Sequence, residues 1–316
     1  MLKSCLAALA AFVLVALPAS AQAGDYPERP VQMMVPFAPG GGSDLVIRVI
    51  EKEFQKEFGQ PLSFVYKPGA SGAVGVSELK TLPADGYTLC SQSYPHIIIQ
   101  ELSKSGNFSV EDFDFVGMIA VDDIFFAVRN KSKFKSVEDF IAEAKANPDT
   151  LSVATTDTLG CSHMAALKLR MLGVPVNIVT YTGGSKAVAG LLGAQVDALM
   201  VVKGAAAAAM SKMRMLAICN TQRDADLKDV PTFPELGYDI VQFNGRLIIA
   251  PKGLPEAVKD RLVTGLKNIY ANPDVIARNK KAGFEYRFAD GDTVYKMFQD
   301  LRPEATQLLQ LAADLK

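Results

Sequence analysis

Tryptophan is absent from the 316 residues, and histidine occurs only twice, at His96 and His163. So few imidazoles leave little room for histidine-based acid–base chemistry, and no His/Cys/Asp/Glu group has the spacing of a metal-ligand set. No metal and no cofactor is therefore expected. Charge of one sign is not in excess either, with 33 Lys and Arg against 34 Asp and Glu. A nucleic-acid or anionic-membrane partner would call for a basic surplus. Nucleotide motifs are missing as well: the glycine-rich "PFAPGGGSD" at 36–44 has neither the GK[ST] ending of a P-loop nor the spacing GxGxxG. Beyond the first two dozen residues no apolar stretch is long enough to span a bilayer, and no repeat or low-complexity linker is evident.

The chain opens with "MLKSCLAALAAFVLVALPASAQAGDYP": one lysine, an apolar run from Cys5 to Leu17, and small residues in A-x-A spacing. This is the pattern of a cleavable signal peptide over residues 1–23, with cleavage after Ala21 or Ala23. Cys5 precedes the apolar core, which argues against a lipoprotein cysteine. The mature chain of about 290 residues has room for one large domain or two lobes. It keeps 32 basic against 34 acidic side chains, and three cysteines, Cys90, Cys161 and Cys219. An odd number excludes a dense disulfide framework. Cys90 and Cys219 lie in apolar, strand-like stretches where buried thiols are the ordinary expectation, and a single disulfide between them stays open.

Strands and helices alternate. Val31–Val35 reads as a strand, the glycine loop follows, and Leu45, Val46, Val49, Ile50 and Phe54 recur at helical spacing until Gly59. Leu62–Tyr66, "KPGASG", a helical run to Pro83 and the strand-like "DGYTLCSQS" complete a β-α-β-α-β pattern, which predicts a parallel sheet covered by helices. "IFFAVRN" reads as a strand leaving this first lobe. Ser136 and Asp139 form a capping box for a helix that ends at "ANPDT". Strands at Leu151–Ala154 and Val176–Thr180 alternate with helices at His163–Leu172 and Lys186–Leu192. "QVDALMVV" and "MRMLAIC" are further strands, the second a return path to the first lobe. Two longer helices, Glu256–Ala271 and Thr293–Leu315, fill the tail.

Ligands of open α/β sheets sit beyond the carboxyl ends of the strands. Four loops occupy that position: 37–43, 67–72, 155–162 and 181–185, all rich in Gly, Ser or Thr. Glycine lets backbone approach a ligand, and helix starts offer free N–H groups. Together they describe a receptor for a small anion built mostly from backbone amides. Ser43 and Asp44 also admit the plainer role of helix caps.

"YPERPVQMMVPFAPGGGSDLVIR", "KPGASGAVGVSELKTLPADGYTL", "TTDTLGCSHMAALKL", "YTGGSKAVAGLLGAQVDALM" and the block from "VPTFPELGY" to "GLKN" resemble, in this order, the Bug-type periplasmic receptors of tripartite tricarboxylate transporters. The resemblance covers nearly the whole mature chain. It implies an α/β type II periplasmic-binding-protein fold of two lobes around a cleft, joined by hinge strands. Lobe 1 would comprise 24–123 and 221–316, and lobe 2 residues 124–220. It further implies a periplasmic monomer that binds an organic carboxylate and delivers it to a permease of one large and one small integral subunit.

Carried over, the family pattern puts ligand contacts on Phe37, Ala38, Pro39, Gly40, Gly41, Ser43 and Asp44, and on Ala70, Ser71 and Gly72 in the second loop. Across the cleft it implies Thr155, Thr156, Cys161 and Ser162, then Tyr181, Gly183 and Gly184, with Asp197 at a strand end; Ser91 and Phe243 complete the set. Cys161 stands where the family usually has glycine, Tyr66 replaces a common Asn, Ile47 a common Ala, and Arg246 is an unfamiliar charge, so an atypical substrate is expected. Asp44 and Asp197 would suit an amino group on the ligand, or serve as a cap and a solvated strand-end acid. Two other functions stand beside transport: presentation of the liganded lobes to a sensor kinase, and a cysteine-dependent enzyme built on Cys161 and His163. The second lacks an orienting third group, and residues two apart on a helix point to different sides.

Overall fold

The structure, a computed structural model, describes residues 26–315. The proposed signal peptide lies outside the described residues. The strands are β1 (Val31–Val35), β2 (Leu62–Tyr66), β3 (Thr88–Tyr94), β4 (Phe113–Arg129), β5 (Ser152–Thr155), β6 (Asn177–Thr180), β7 (Ala198–Val202), β8 (Met213–Ile218), β9 (Phe243–Pro251) and β10 (Glu285–Asp290). Between them run α1 (Gly42–Arg48), α2 (Glu51–Phe58), α3 (Ala73–Leu79), α4 (His96–Leu102), α5 (Val137–Ala146), α6 (Cys161–Met171), α7 (Gly184–Leu192), α8 (Lys203–Ala206), α9 (Glu256–Ala271), α10 (Pro273–Lys281) and α11 (Gly291–Asp314).

One strand organises the architecture. The 17 residues of β4 are buried except at the last position, and they change partners half-way. From Phe113 to Asp123, β4 pairs antiparallel with β9 and β10; from Ile124 onward it pairs with β7 and β8. The first half completes a sheet ordered β2-β1-β3-β9-β4, the second a sheet ordered β4-β7-β5-β6. Each is a lobe with apolar clusters on both faces.

The registers fix where the loops go. β1, β2 and β3 are parallel to one another, and Tyr94 at the end of β3 is level with Gly245, itself opposite Val121 of β4. In lobe 2, Val202 at the end of β7 is opposite Ile124, and β5 and β6 run parallel to β7. The carboxyl ends of both sets of parallel strands therefore point at the junction, from opposite sides.

Several elements depart from the sequence expectations. The helix expected from Leu45 to Gly59 is broken at Val49–Ile50 into α1 and α2, which still turn Val46, Ile47, Ile50 and Phe54 into one core. "IFFAVRN" is the second half of a strand that begins at Phe113. α6 starts at Cys161, two residues earlier than expected, because Ser162 ties the preceding loop onto its first turn. β9, central in lobe 1, was not foreseen: buried Asn244 and Arg246 interrupt its apolar pattern.

Candidate functional site

The loop after β1 carries its own scaffold. Gly40 has φ of +79°, which glycine adopts without cost, and its N–H donates to Asp44 Oδ2 at 2.7 Å. Asp44 Oδ1 accepts from Arg48 Nε at 2.9 Å and from the Tyr66 hydroxyl at 2.8 Å. Burial pushes the Asp44 carboxyl up, but the Gly40 N–H, Tyr66 and Arg48 outweigh it and hold the group below its ordinary value. Both carboxylate oxygens are thus committed to the loop, and the Tyr66 that departs from the family pattern is one of the partners. Pro36–Gly40 and Ala70–Gly72 meet where the Phe37 ring packs on Gly72, and Gln100 Nε2 donates to the Ser71 carbonyl at 2.7 Å.

Beneath this loop lies a buried guanidinium. Arg246 of β9 is 7% exposed and pairs with Asp122 of β4 through Nη2, while Nη1 faces the hydroxyls of Ser43 and Ser93 at 3.4 Å each. A Cβ at Gly42 would sit 2.5 Å from Arg246 Nη2, so any other residue there would force the guanidinium or the loop to shift. Burial lifts the Asp122 carboxyl above its usual range, with Arg246 and Asn244 pulling the other way. Loss of the Asp122 charge would leave the guanidinium buried without a counterion, so the pair is read as ionised. Ser91 donates to the Ser43 carbonyl at 2.7 Å and props the start of α1.

Lobe 2 answers with a compact hydroxyl network. Ser162 Oγ accepts the Thr156 N–H at 2.9 Å, lies 3.0 Å from Thr156 Oγ1 and donates to Asp157 Oδ1 at 2.7 Å. The other Asp157 oxygen stands 3.9 Å from Nε2 of His96, which belongs to lobe 1. Burial, opposed by Asp157 and aided by Arg246, holds His96 below the ordinary imidazole range. It is neutral at pH 7. The His96 ring also meets Phe37 edge-on, with centroids 6.4 Å apart. The two lobes thus touch at the loops themselves.

The glycine loops, Ser43, Thr156, Cys161 and Ser162 are brought to this junction. Several other expected residues spend their side chains on neighbours instead. Tyr181 folds its hydroxyl back over α7 to Gln195, at 3.2 Å, and Thr155 Oγ1 bonds to Thr180 across β5 and β6. Asp197 precedes β7 and binds the N–H and hydroxyl of Ser152, the first residue of β5. That is the amino edge of the lobe-2 strands, opposite to the cleft. Phe243 stacks on Tyr94 at 5.2 Å, and Gly183 lies on the loop bonded to Thr156. His96, Asp157, Asp122 and Ser93 were missed. "QFNGR", a charge inside an otherwise strand-like run, was the one available signal for this buried polar floor.

Residues 46–312 match the family described as the tripartite tricarboxylate transporter family receptor. The chain belongs to that family. It is 33% identical to BugT of Bordetella pertussis over 256 residues, 78% of each chain. A TctC solute-binding protein from Polaromonas shares the fold with a TM-score of 0.80 at 26% identity, covering 90% of this chain and 99% of that one. MatC of Rhodopseudomonas palustris, solved with bound malate, superposes with a TM-score of 0.74 at 24% identity, over 90% and 99%; that likeness is one of fold.

The TctC family is one of receptors, not enzymes, and the local chemistry agrees. The Cys161 thiol is 3% exposed, and burial, reinforced by Asp157, pushes it well above the ordinary thiol value. A nucleophile needs the thiolate. His163 accepts the Leu159 N–H through Nδ1 at 3.1 Å. Cys90, Cys161 and Cys219 are all buried free thiols, which closes the disulfide question. Among the described residues no group of three acidic, histidine or cysteine side chains could hold a metal, and no helix is long and apolar enough to cross a membrane.

Proposed function

We propose that this chain is a periplasmic receptor that captures a small organic carboxylate and hands it to a permease of one large and one small integral subunit. In this reading residues 1–23 are removed on export. Lobe 1 comprises 24–123 and 221–316, lobe 2 comprises 124–220, and the mature receptor acts as a monomer. The observation that carries it is the convergence of four glycine-, serine- and threonine-rich loops, from two lobes, on one junction in a chain of this receptor family.

The energetics suit a binder. A micromolar dissociation constant is about 8 kcal/mol, and hydrogen bonds to a charged group contribute roughly 1.5–3 kcal/mol each. Four to six donors held in place by Asp44, Gln100 and Ser162 suffice after association costs.

The test is a thermal-shift screen of mono-, di- and tricarboxylates and acidic amino acids, followed by small-angle scattering with the best ligand. A ligand at 100 times its dissociation constant adds about 2.7 kcal/mol, which raises Tm by several degrees. We expect at least one such carboxylate, with a smaller radius of gyration on saturation as the crossings at 124–129 and 216–220 bend. A complete screen without a shift would overturn the reading. Copurification from membranes with a sensor kinase and no permease would replace its transport half.

A further inference from the structure

Three side chains of the cleft floor are almost fully buried, yet each keeps a polar atom without a partner among the described residues. They are Asp122 Oδ1, Asn244 Oδ1 and Arg246 Nε, in residues 3%, 7% and 7% exposed. All three point to the same face of the lobe-1 sheet, because Asn244 is level with Asp122 on β4, and Arg246 with Ala120 on β4 and Ser93 on β3. Asn244 Nδ2 is spent on Asp122 Oδ2 at 3.3 Å, so what remains is one donor and two acceptors. Buried polar groups without partners are costly and rare in native folds.

The charge balance points the same way. Arg246 and Asp122 cancel. Among the described residues only a hydroxyl and a neutral imidazole meet Asp157 across the junction, which leaves the cleft one negative charge in excess. Asp157, Asp122 and Arg246 all act electrostatically on the Cys161 thiol, so floor and roof share one small neighbourhood. A plain dianion would add repulsion there. A group with three N–H donors and a positive charge would meet the free oxygens and cancel the excess.

We propose that the cleft takes a carboxylate that also bears an ammonium group, an amino-acid zwitterion. Arg246 and the glycine loop serve the carboxylate, while the free oxygens of Asp122 and Asn244, with the Asp157 carboxylate across the junction, serve the ammonium. The proposal rests on the receptor reading above and narrows its ligand class.

The experiment is calorimetry of the mature protein with pairs that differ only in the amino group: succinate and aspartate, glutarate and glutamate, propionate and alanine. In the best-binding pair the amino member is expected to be at least 10-fold tighter, a difference of about 1.4 kcal/mol. Asp157→Asn, which keeps an acceptor for Ser162, is expected to cut that ratio several-fold and to improve binding of the plain acid. Asp122→Asn should do the same, but it strands a buried arginine, so the wild-type ratios and Asp157→Asn carry the decision if it does not fold. Equal affinity within the pairs, or a preference undiminished in Asp157→Asn, overturns the amino-acid assignment while leaving the receptor standing. If no acid of any pair binds, the amino-acid assignment falls, and the wider carboxylate screen decides whether the receptor reading falls with it.

Discussion

Gly42 is the residue at which a single methyl group is expected to matter most. Its missing Cβ is the space into which the Arg246 guanidinium rises, and neither partner has an easy retreat: Arg246 is held by Asp122, and Ser43 is propped by Ser91. Gly42→Ala should cost about 1–3 kcal/mol of stability from overpacking. It should also weaken carboxylate binding by at least about 10-fold, since the loop must lift off the charge. Gly40→Ala is the contrast: no atom lies within 4 Å of a Cβ there, so only the positive φ is penalised, by about 1 kcal/mol. Denaturant unfolding and calorimetry of both variants check this, and parental affinity in Gly42→Ala would contradict the placement of Arg246 under the loop. This steric pairing was invisible in the sequence. Gly42 reads there as one glycine of three, and Arg246 lies 204 positions away on a strand that polar residues disguise.

At the scale of elements, the crossing between the lobes holds a titratable group. Asp123 ends the lobe-1 half of β4, is 4% exposed, and accepts from Asn220 Nδ2, just past β8, at 2.7 Å. Burial first, and then the neighbouring Glu285, push its carboxyl up to about 6. The folded protein therefore holds this proton where the unfolded chain, with a value near 4, has released it. Stability falls as pH rises from about 4 to about 6 and stays lower above, by at most about 3 kcal/mol for a shift of about two units. Asp123→Asn keeps the oxygen for Asn220 and should raise Tm at pH 7.5 while gaining nothing at pH 4. An equal gain at both pH values would rule out the linkage. Legibility divides along the same line. β1, β2, α9 and the capped start of α5 could be read from the chain because local pattern and local burial agree there. β9 and β10 could not, since their places depend on β4, far away in sequence. The candidate site divides likewise: its glycine loops are local signals, whereas the Asp122–Asn244–Arg246 floor exists only once β9 is paired.

For the molecule as a whole, the lobes meet at more than the loops. Lys168 of α6, 4% exposed, donates to the Val241 carbonyl at 2.8 Å and forms an ion pair at 2.6 Å with Glu304 of α11. Met164 and Leu167 of α6 join the apolar cluster under α4 and α11. On the other flank the turn at Gly283 lies against Gly204 of α8. We expect these contacts to bias the free protein toward the closed arrangement. Glu304→Gln weakens one of them without touching the cleft, so it should enlarge the radius of gyration of the unliganded protein and lower affinity about 2- to 10-fold, with the liganded dimensions unchanged. Scattering and calorimetry read both quantities. No change in either would mean that α11 does not help to set the closure equilibrium.

The position of β9 between β3 and β4 has a consequence for how the chain comes into being. Lobe 2 is encoded as one stretch, and β5, β6, β7 and β8 have all emerged by residue 218. Lobe 1 is written in two instalments, and the strand that joins them is among the last to arrive. Until Phe243–Pro251 is available, β3 and the first half of β4 are exposed edges with no partner between them, and β10 follows later still. A premature stop before that point leaves a lobe 2 with its strands complete, attached to two open edges, the kind of surface that pairs with other chains. The same insertion that builds the cleft floor makes the first lobe begun the last one finished.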